Sequence, residues 1–249
     1  MLACPSPVDL SSRTLRFPTG RLRRRRQRTG TRRRCLPAPR QALPALARPR
    51  CGDTYAQLAA GFAIATACRS LREAVDVPAA LAPTPAEAMR VARATALVIP
   101  EGTLLPIGRI AAGTPYPSGK HKRHGRNVQV LTDPFGRLLR AWPALPGSPH
   151  DPTAARAPGS VGALAATGLT CRADRACQGA DGPVGVPFRG RRLKRGPRRR
   201  HGTHAQIRCL GERAMATPTG RRLLRKLRCG THRTTAIVQA VLLLHHAAA

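Results

Sequence analysis

Acidic and aromatic residues are both scarce in this chain, and each shortage narrows what it can do. Eleven Asp and Glu stand against 44 Lys and Arg in 249 residues, a formal net charge of +33. Such a charge repels itself unless a polyanion neutralises it. Nucleic acid is the polyanion expected, through phosphate contacts with counterion release. A membrane surface is disfavoured, because the basic runs lack a long amphipathic partner face. Aromatics make up only 3% of the chain, with one Trp, two Tyr and four Phe. That argues against a single-strand platform built on base stacking, and it leaves the core short of its bulkiest side chains. The eight cysteines include no pair at zinc-knuckle spacing, and no Cys–His set has finger spacing. No secretory segment is read, so reduced thiols in a cytosolic compartment are the expectation. The apolar run Ala236 to Leu244 is far too short to span a bilayer.

What is present divides the chain into three. Residues 1–40 read as a basic, disordered arm: RLRRRRQRTGTRRR, Arg21 to Arg34, carries nine arginines without apolar periodicity. No apolar segment follows it, which disfavours a twin-arginine export signal. Residues 41–82 read as a small helical, helix-turn-helix-like segment. Asp53 or Thr54 is placed to cap TYAQLAAGF, a second helix is expected over Thr66 to Val75, and Pro44 and Pro49 are expected to interrupt the first. Pro83 to Ala94 is a short helix or linker. Residues 95–246 carry the α/β pattern.

In that last part Ala96 to Pro100 is a buried-type strand with Glu101 just after it. Lys120 to Arg126 lies in a basic hairpin. Val128 to Asp133 and Arg137 to Leu145 flank Asp-Pro-Phe-Gly, a turn signal, and form a second hairpin. Asp151 opens a weak helix, and Gly168 to Asp174 is a further strand with a carboxylate at its end. Phe188 to Arg200 reads as a basic loop with eight cations. His204 to Ala216 is a helix with Ile207, Leu210, Gly211, Ala214 and Met215 as its apolar stripe, and Arg221 to Cys229 and Thr234 to His246 complete the chain as helical segments. His121, His124 and His204 form no ligand-spaced cluster and are expected to be solvated or near phosphate.

The stretch EGTLLPIGRI (Glu101 to Ile110), with Ser118 to Asp151, RADRACQG (Arg172 to Gly179) and RCLGERAM (Arg208 to Met215), resembles the catalytic core of bacterial insertion-sequence transposases. These belong to the DDE endonuclease superfamily, in its Harbinger-like branch. The resemblance implies a ribonuclease-H-like α/β domain preceded by the helical segment and the basic arm. It implies a DDE-type transposase that cleaves and joins DNA strands at a two-metal site holding Mg²⁺ or Mn²⁺. Such a site needs hard oxygen ligands around metals about 4 Å apart. The positions matching the family's acids are Glu101, Asp174 and Glu212, with Asp151 the alternative second ligand. Double-stranded DNA at transposon ends is the implied partner, a homodimer is an open expectation, no membrane is involved, and the location is the bacterial cytoplasm with the nucleoid. Phosphate contacts fall on Lys120, Lys122, Arg123, Arg126, Arg191, Arg192, Lys194, Arg195, Arg222, Arg225 and Lys226.

The chain also departs from the family pattern. Glu101 stands where the family has Asp, and its extra methylene shifts the carboxylate by roughly 1 Å where a metal constellation tolerates about 0.5 Å. Gly108 replaces a second Asp, Arg172 a Trp, Cys177 a Tyr, and Pro218-Thr219 a Leu-Lys. Pro218 is expected to break the helix after Glu212. These departures predict impaired catalysis. They leave two alternatives: a degraded transposase remnant, and a basic nucleic-acid-binding protein without chemistry.

Overall fold

The computed structural model describes residues 12–31, 36–51, 54–59, 63–108, 117–118, 123–147, 159–173, 184–186, 194–219, 222–225 and 227–248. These group into two compact units: Met1–Ala82 with Gly220–Lys226 and Ala236–Ala249, and Pro83–Thr219 with Leu227–Thr235.

The first unit is helical. Helix α1, Ser12–Arg28, buries Thr14, Pro18, Thr19 and Leu22 along one face. Over residues 12–28 a packed helix stands where the sequence reads as a disordered arm. The arginine run conceals a face with helical spacing, and Leu22 joins Ala38, Ala42, Ala45, Leu58, Leu71, Ala74 and Val77 in one core. Helix α2, Ala38–Cys51, continues through both Pro44 and Pro49. Packing outweighs the lost backbone donors, since Ala42, Ala45, Leu46 and Ala47 are all buried. Thr54 caps the short helix α3, Tyr55–Leu58, by a capping box with Gln57. Helix α4, Ile64–Ala79, is longer at both ends than its sequence pattern predicts. A buried amide ties three of these helices together. Gln41 accepts from Arg26 (2.5 Å) and donates to the Ser70 carbonyl (2.9 Å) and the Glu73 carboxylate (2.8 Å).

The second unit is α/β. Helix α5, Pro85–Ala92, opens with a Thr84–Glu87 capping box. Strand β1, Ile99–Pro106, runs antiparallel to β3, Arg123–Thr132. On the far side of β3 lie β4, Leu138–Ala141, and β5, Leu145–Pro146. The two-residue strand β2, Pro117–Ser118, also pairs with β3. The hairpin turn forms as its sequence predicts: Asp133 Oδ1 accepts from the amides of Phe135 (2.9 Å) and Arg137 (2.8 Å). Gly136 supplies the positive φ, +78°, that the turn needs.

On its other edge β1 meets a parallel neighbour. Val98 accepts from Arg172 and donates to Thr170, both at 3.0 Å, beside strand β6, Cys171–Arg172. The next donor toward β6 would belong to residue 100, but Pro100 has no N–H, so the parallel ladder stops there. Pro100 is thus the second residue of the strand and not its last, and Glu101 lies within the ladder. Strand β7, Val184–Gly185, pairs in parallel with β6.

Helices cover both faces of this sheet. Val98 and Leu131 pack on one side with Met89 and Ala92 of α5, Trp142, and Leu164 of α6, Ser160–Ala165. On the other side lies α7, Arg195–Thr219. This helix begins within the expected basic loop and passes Pro218, ending one residue beyond it. A 3₁₀ turn over Arg222–Arg225 belongs to the first unit, as does helix α8, Thr231–Ala248, from Ala236 onward. Among the described residues no helix is long and apolar enough to cross a membrane.

Candidate active site

Alternation along β1 decides where Glu101 points. Ile99 and Glu101 share one face, and α7 crosses it at Gly211. A Cβ built on Gly211 would stand 2.8 Å from Ile99 Cγ2 and 3.0 Å from Glu101 Cγ, with Thr132 Oγ1 at 3.3 Å. Only a residue without a side chain lets the helix come this near. The contact places Arg208 and Glu212, one turn apart on α7, beside the strand carboxylate.

The Arg208 guanidinium joins the two acids. Its Nε lies 3.3 Å from Glu101 Oε1, and its Nη2 lies 2.9 Å from Glu212 Oε1. The three side chains differ in solvation: Glu101 is 9% exposed, Arg208 17% and Glu212 59%. The Arg208–Glu212 pair alone is an ordinary i,i+4 contact. The bond to Glu101 is of another kind, since a buried carboxylate left without a cation is strongly destabilising.

Of the positions matched to metal ligands, Glu101 and Glu212 therefore meet on a single cation. Asp151 and Asp174 lie outside the described residues, and among the described residues no three His, Cys, Asp or Glu form a group that could hold a metal. The donor chemistry still suits a hard divalent ion. Two carboxylates from separate elements converge on one positive centre, and oxygen is the ligand such ions prefer.

Below the site, His204 of α7 is buried, with Nε2 2.8 Å from the carbonyl of Ala173, the residue before Asp174. Burial, with Arg172, Arg208 and His201 nearby, holds its pKa below the usual histidine value, against the carbonyl bond that raises it. The expectation of a solvated or phosphate-contacting His204 is thus corrected. Burial also pushes the Cys171 thiol up to about 11. Arg172 is half-buried, and its Nε has no hydrogen-bond partner among the described residues.

The expected phosphate contacts divide. Arg123, Lys194, Arg195, Arg222 and Arg225 are exposed. Arg126 is not: it is 5% exposed and donates to Thr234 Oγ1 at 2.8 Å. Residues 123–126 belong to β3, which is buried from Gly125 onward, and Arg126 serves the fold. Lys120, Lys122, Arg191, Arg192 and Lys226 lie outside the described residues.

The contact between Arg208 and Glu101 is not legible in the sequence. The residues are 107 positions apart, and only Gly211, a glycine on an apolar helix stripe facing a strand, hinted at so close a crossing. Residues 101–246 match the family model described as DDE superfamily endonuclease. No curated protein and no solved structure matches the chain.

Proposed function

The chain belongs to the DDE superfamily endonucleases, and from that premise we propose that it is a transposase-type nuclease acting on double-stranded DNA, of the bacterial insertion-sequence kind in the Harbinger-like branch. The observation that carries this reading is the convergence of Glu101 and Glu212 on one cationic centre inside the family-matched segment. A central strand with an antiparallel neighbour on one edge, a parallel one on the other, and a long helix across its face supports a ribonuclease-H-like domain.

In this reading Glu101 and Glu212 hold Mg²⁺ or Mn²⁺ together with Asp174 or Asp151. A divalent ion there supplies charge neutralisation at a phosphodiester and a water of lowered pKa. Gly211 sets the distance between strand and helix. Arg123, Lys194 and Arg195, all exposed, hold DNA phosphates without reading sequence. Residues 41–82 serve as the helix-turn-helix-like DNA-binding segment, a homodimer would pair two transposon ends, and the protein works in the bacterial cytoplasm at the nucleoid.

The Arg208 bridge also favours a second reading, in which the guanidinium has replaced the metal for good and a non-catalytic DNA-binding remnant is left. Nicking of supercoiled plasmid in millimolar Mn²⁺ separates the two. The first reading expects nicking that vanishes in Glu212→Gln and in Glu101→Gln. Nicking that survives both substitutions belongs to a contaminant and removes the first reading, as does no nicking at all.

A further inference from the structure

We propose that Arg208 is a displaceable internal cation: its guanidinium sits between Glu101 and Glu212 where a divalent metal would bind, and metal gains the site only by dislodging it. The proposal rests on the reading of Glu101 and Glu212 as metal ligands and adds a regulator to that site.

The geometry makes the competition direct. The arginine uses Nε toward one carboxylate and Nη2 toward the other, so both acids spend an Oε1 on the same side chain. A metal held by both acids would need oxygens from the same two groups and would bring its charge to the same place. Guanidinium and metal would then repel each other across a poorly screened site, because Glu101 and Arg208 are largely removed from water.

The unequal exposure sets the order of release. Glu212 is mostly solvated, and its bond to Arg208 is weak and readily exchanged for water. Glu101 is buried, so leaving its carboxylate without a cation is costly. Arg208 accordingly swings away from Glu212 first and gives up Glu101 only as another cation arrives. With Arg208 in place, both acids have a cation before any metal arrives. An arginine on an exposed helix turn would have no such effect. Arg208 has it because Gly211 brings α7 against the strand.

The test is Mn²⁺ binding to the full chain, followed by the electron paramagnetic resonance signal of free Mn²⁺, independently of any activity. Wild type, Arg208→Gln, Arg208→Lys and the double variant Arg208→Gln/Glu212→Gln are compared, each first checked for a cooperative melt. Losing a charge-assisted competitor of ordinary strength is worth about tenfold or more. Arg208→Gln is thus expected to bind Mn²⁺ at least about tenfold more tightly than wild type. Arg208→Lys, which keeps the charge but cannot span both acids, is expected to fall between them. The double variant is expected to lose the gain. Equal affinity in wild type and Arg208→Gln overturns the competition while leaving the metal site standing. A gain that persists in the double variant overturns it too, because the added metal then sits elsewhere. No Mn²⁺ binding at millimolar concentration in any variant removes the metal reading itself, and the proposal with it. Should Arg208→Gln lack a cooperative melt, Arg208→Lys decides alone: tighter binding than wild type supports the competition, and unchanged binding overturns it.

Discussion

Gly211 of α7 lies against Ile99 of β1 so closely that a Cβ on the glycine would stand 2.8 Å from Ile99 Cγ2. In an open helix, glycine to alanine stabilises by roughly 0.5–1 kcal/mol. Here the sign reverses, because the neighbours are a branched side chain on a central strand and the buried Glu101. Gly211→Ala is expected to destabilise by about 1–3 kcal/mol, the usual cost of overpacking. Urea denaturation of the full chain measures it. A midpoint equal to or above wild type would mean that helix and strand are not in contact at this position.

A second prediction concerns the β3–β4 turn. Asp133 is buried and its Oδ1 accepts two backbone amides, those of Phe135 and Arg137. Asp133→Ala leaves both donors without that acceptor and is expected to cost about 1–3 kcal/mol. Amide exchange resolves the effect: Phe135 and Arg137 should lose protection first, ahead of the β1–β3 ladder. Uniform loss of protection across the sheet would instead mean that the turn and the sheet open as one unit.

These two places differ in how far the amino-acid sequence discloses them. The turn is legible because Asp-Pro-Phe-Gly carries its chemistry within four residues. Thr54 as a cap and the apolar stripe of α7 are legible for the same reason, since their partners are near in sequence. Helix α1 is not, because arginines dominate its composition while Leu15, Pro18 and Leu22 supply the face that packs. The start of α7 is hidden by Gly196, Pro197 and Gly202, which oppose a helix locally. Strand β1 is displaced in the sequence reading because Pro100 looks like an end, and its tolerance depends on which neighbour its missing N–H would have faced. The bridge from Arg208 to Glu101 depends on tertiary contact alone.

His204 predicts a pH effect. Its native pKa lies below the ordinary value because burial disfavours the imidazolium. The unfolded chain takes up the proton near pH 6.5, while the native chain resists it. The stability linked to His204 is therefore fully present above about pH 6.5 and is lost as the pH falls through the native value. His204→Gln keeps a donor toward the Ala173 carbonyl but does not titrate. The drop in stability from pH 7 to pH 5 should be smaller in this variant than in wild type. Chemical denaturation at the two pH values gives the comparison, and an equal drop would mean that His204 contributes nothing to the acid sensitivity.

The last prediction concerns α1. Arg13, Arg16, Arg23, Arg24 and Arg28 are all exposed, while Thr14, Pro18, Thr19 and Leu22 on the opposite side are buried. The helix is held in register by Arg26 on Gln41 and by Arg25 on Glu73 at 3.5 Å. Its cations are thus arranged on a fixed surface and not spread along a flexible tail. Seventeen residues at 1.5 Å each extend about 25 Å, roughly twice the width of a major groove, so the five side chains can reach phosphates on both of its edges. Changing them together to glutamine leaves the buried face intact, and helicity by circular dichroism should stay the same. Affinity for a duplex of arbitrary sequence should fall. The slope of log K against log salt should become shallower by about 0.9 for each phosphate contact removed. Fluorescence anisotropy over a series of salt concentrations measures both. An unchanged slope with intact helicity would mean that DNA lies elsewhere on the chain and that the arginines of α1 face only solvent.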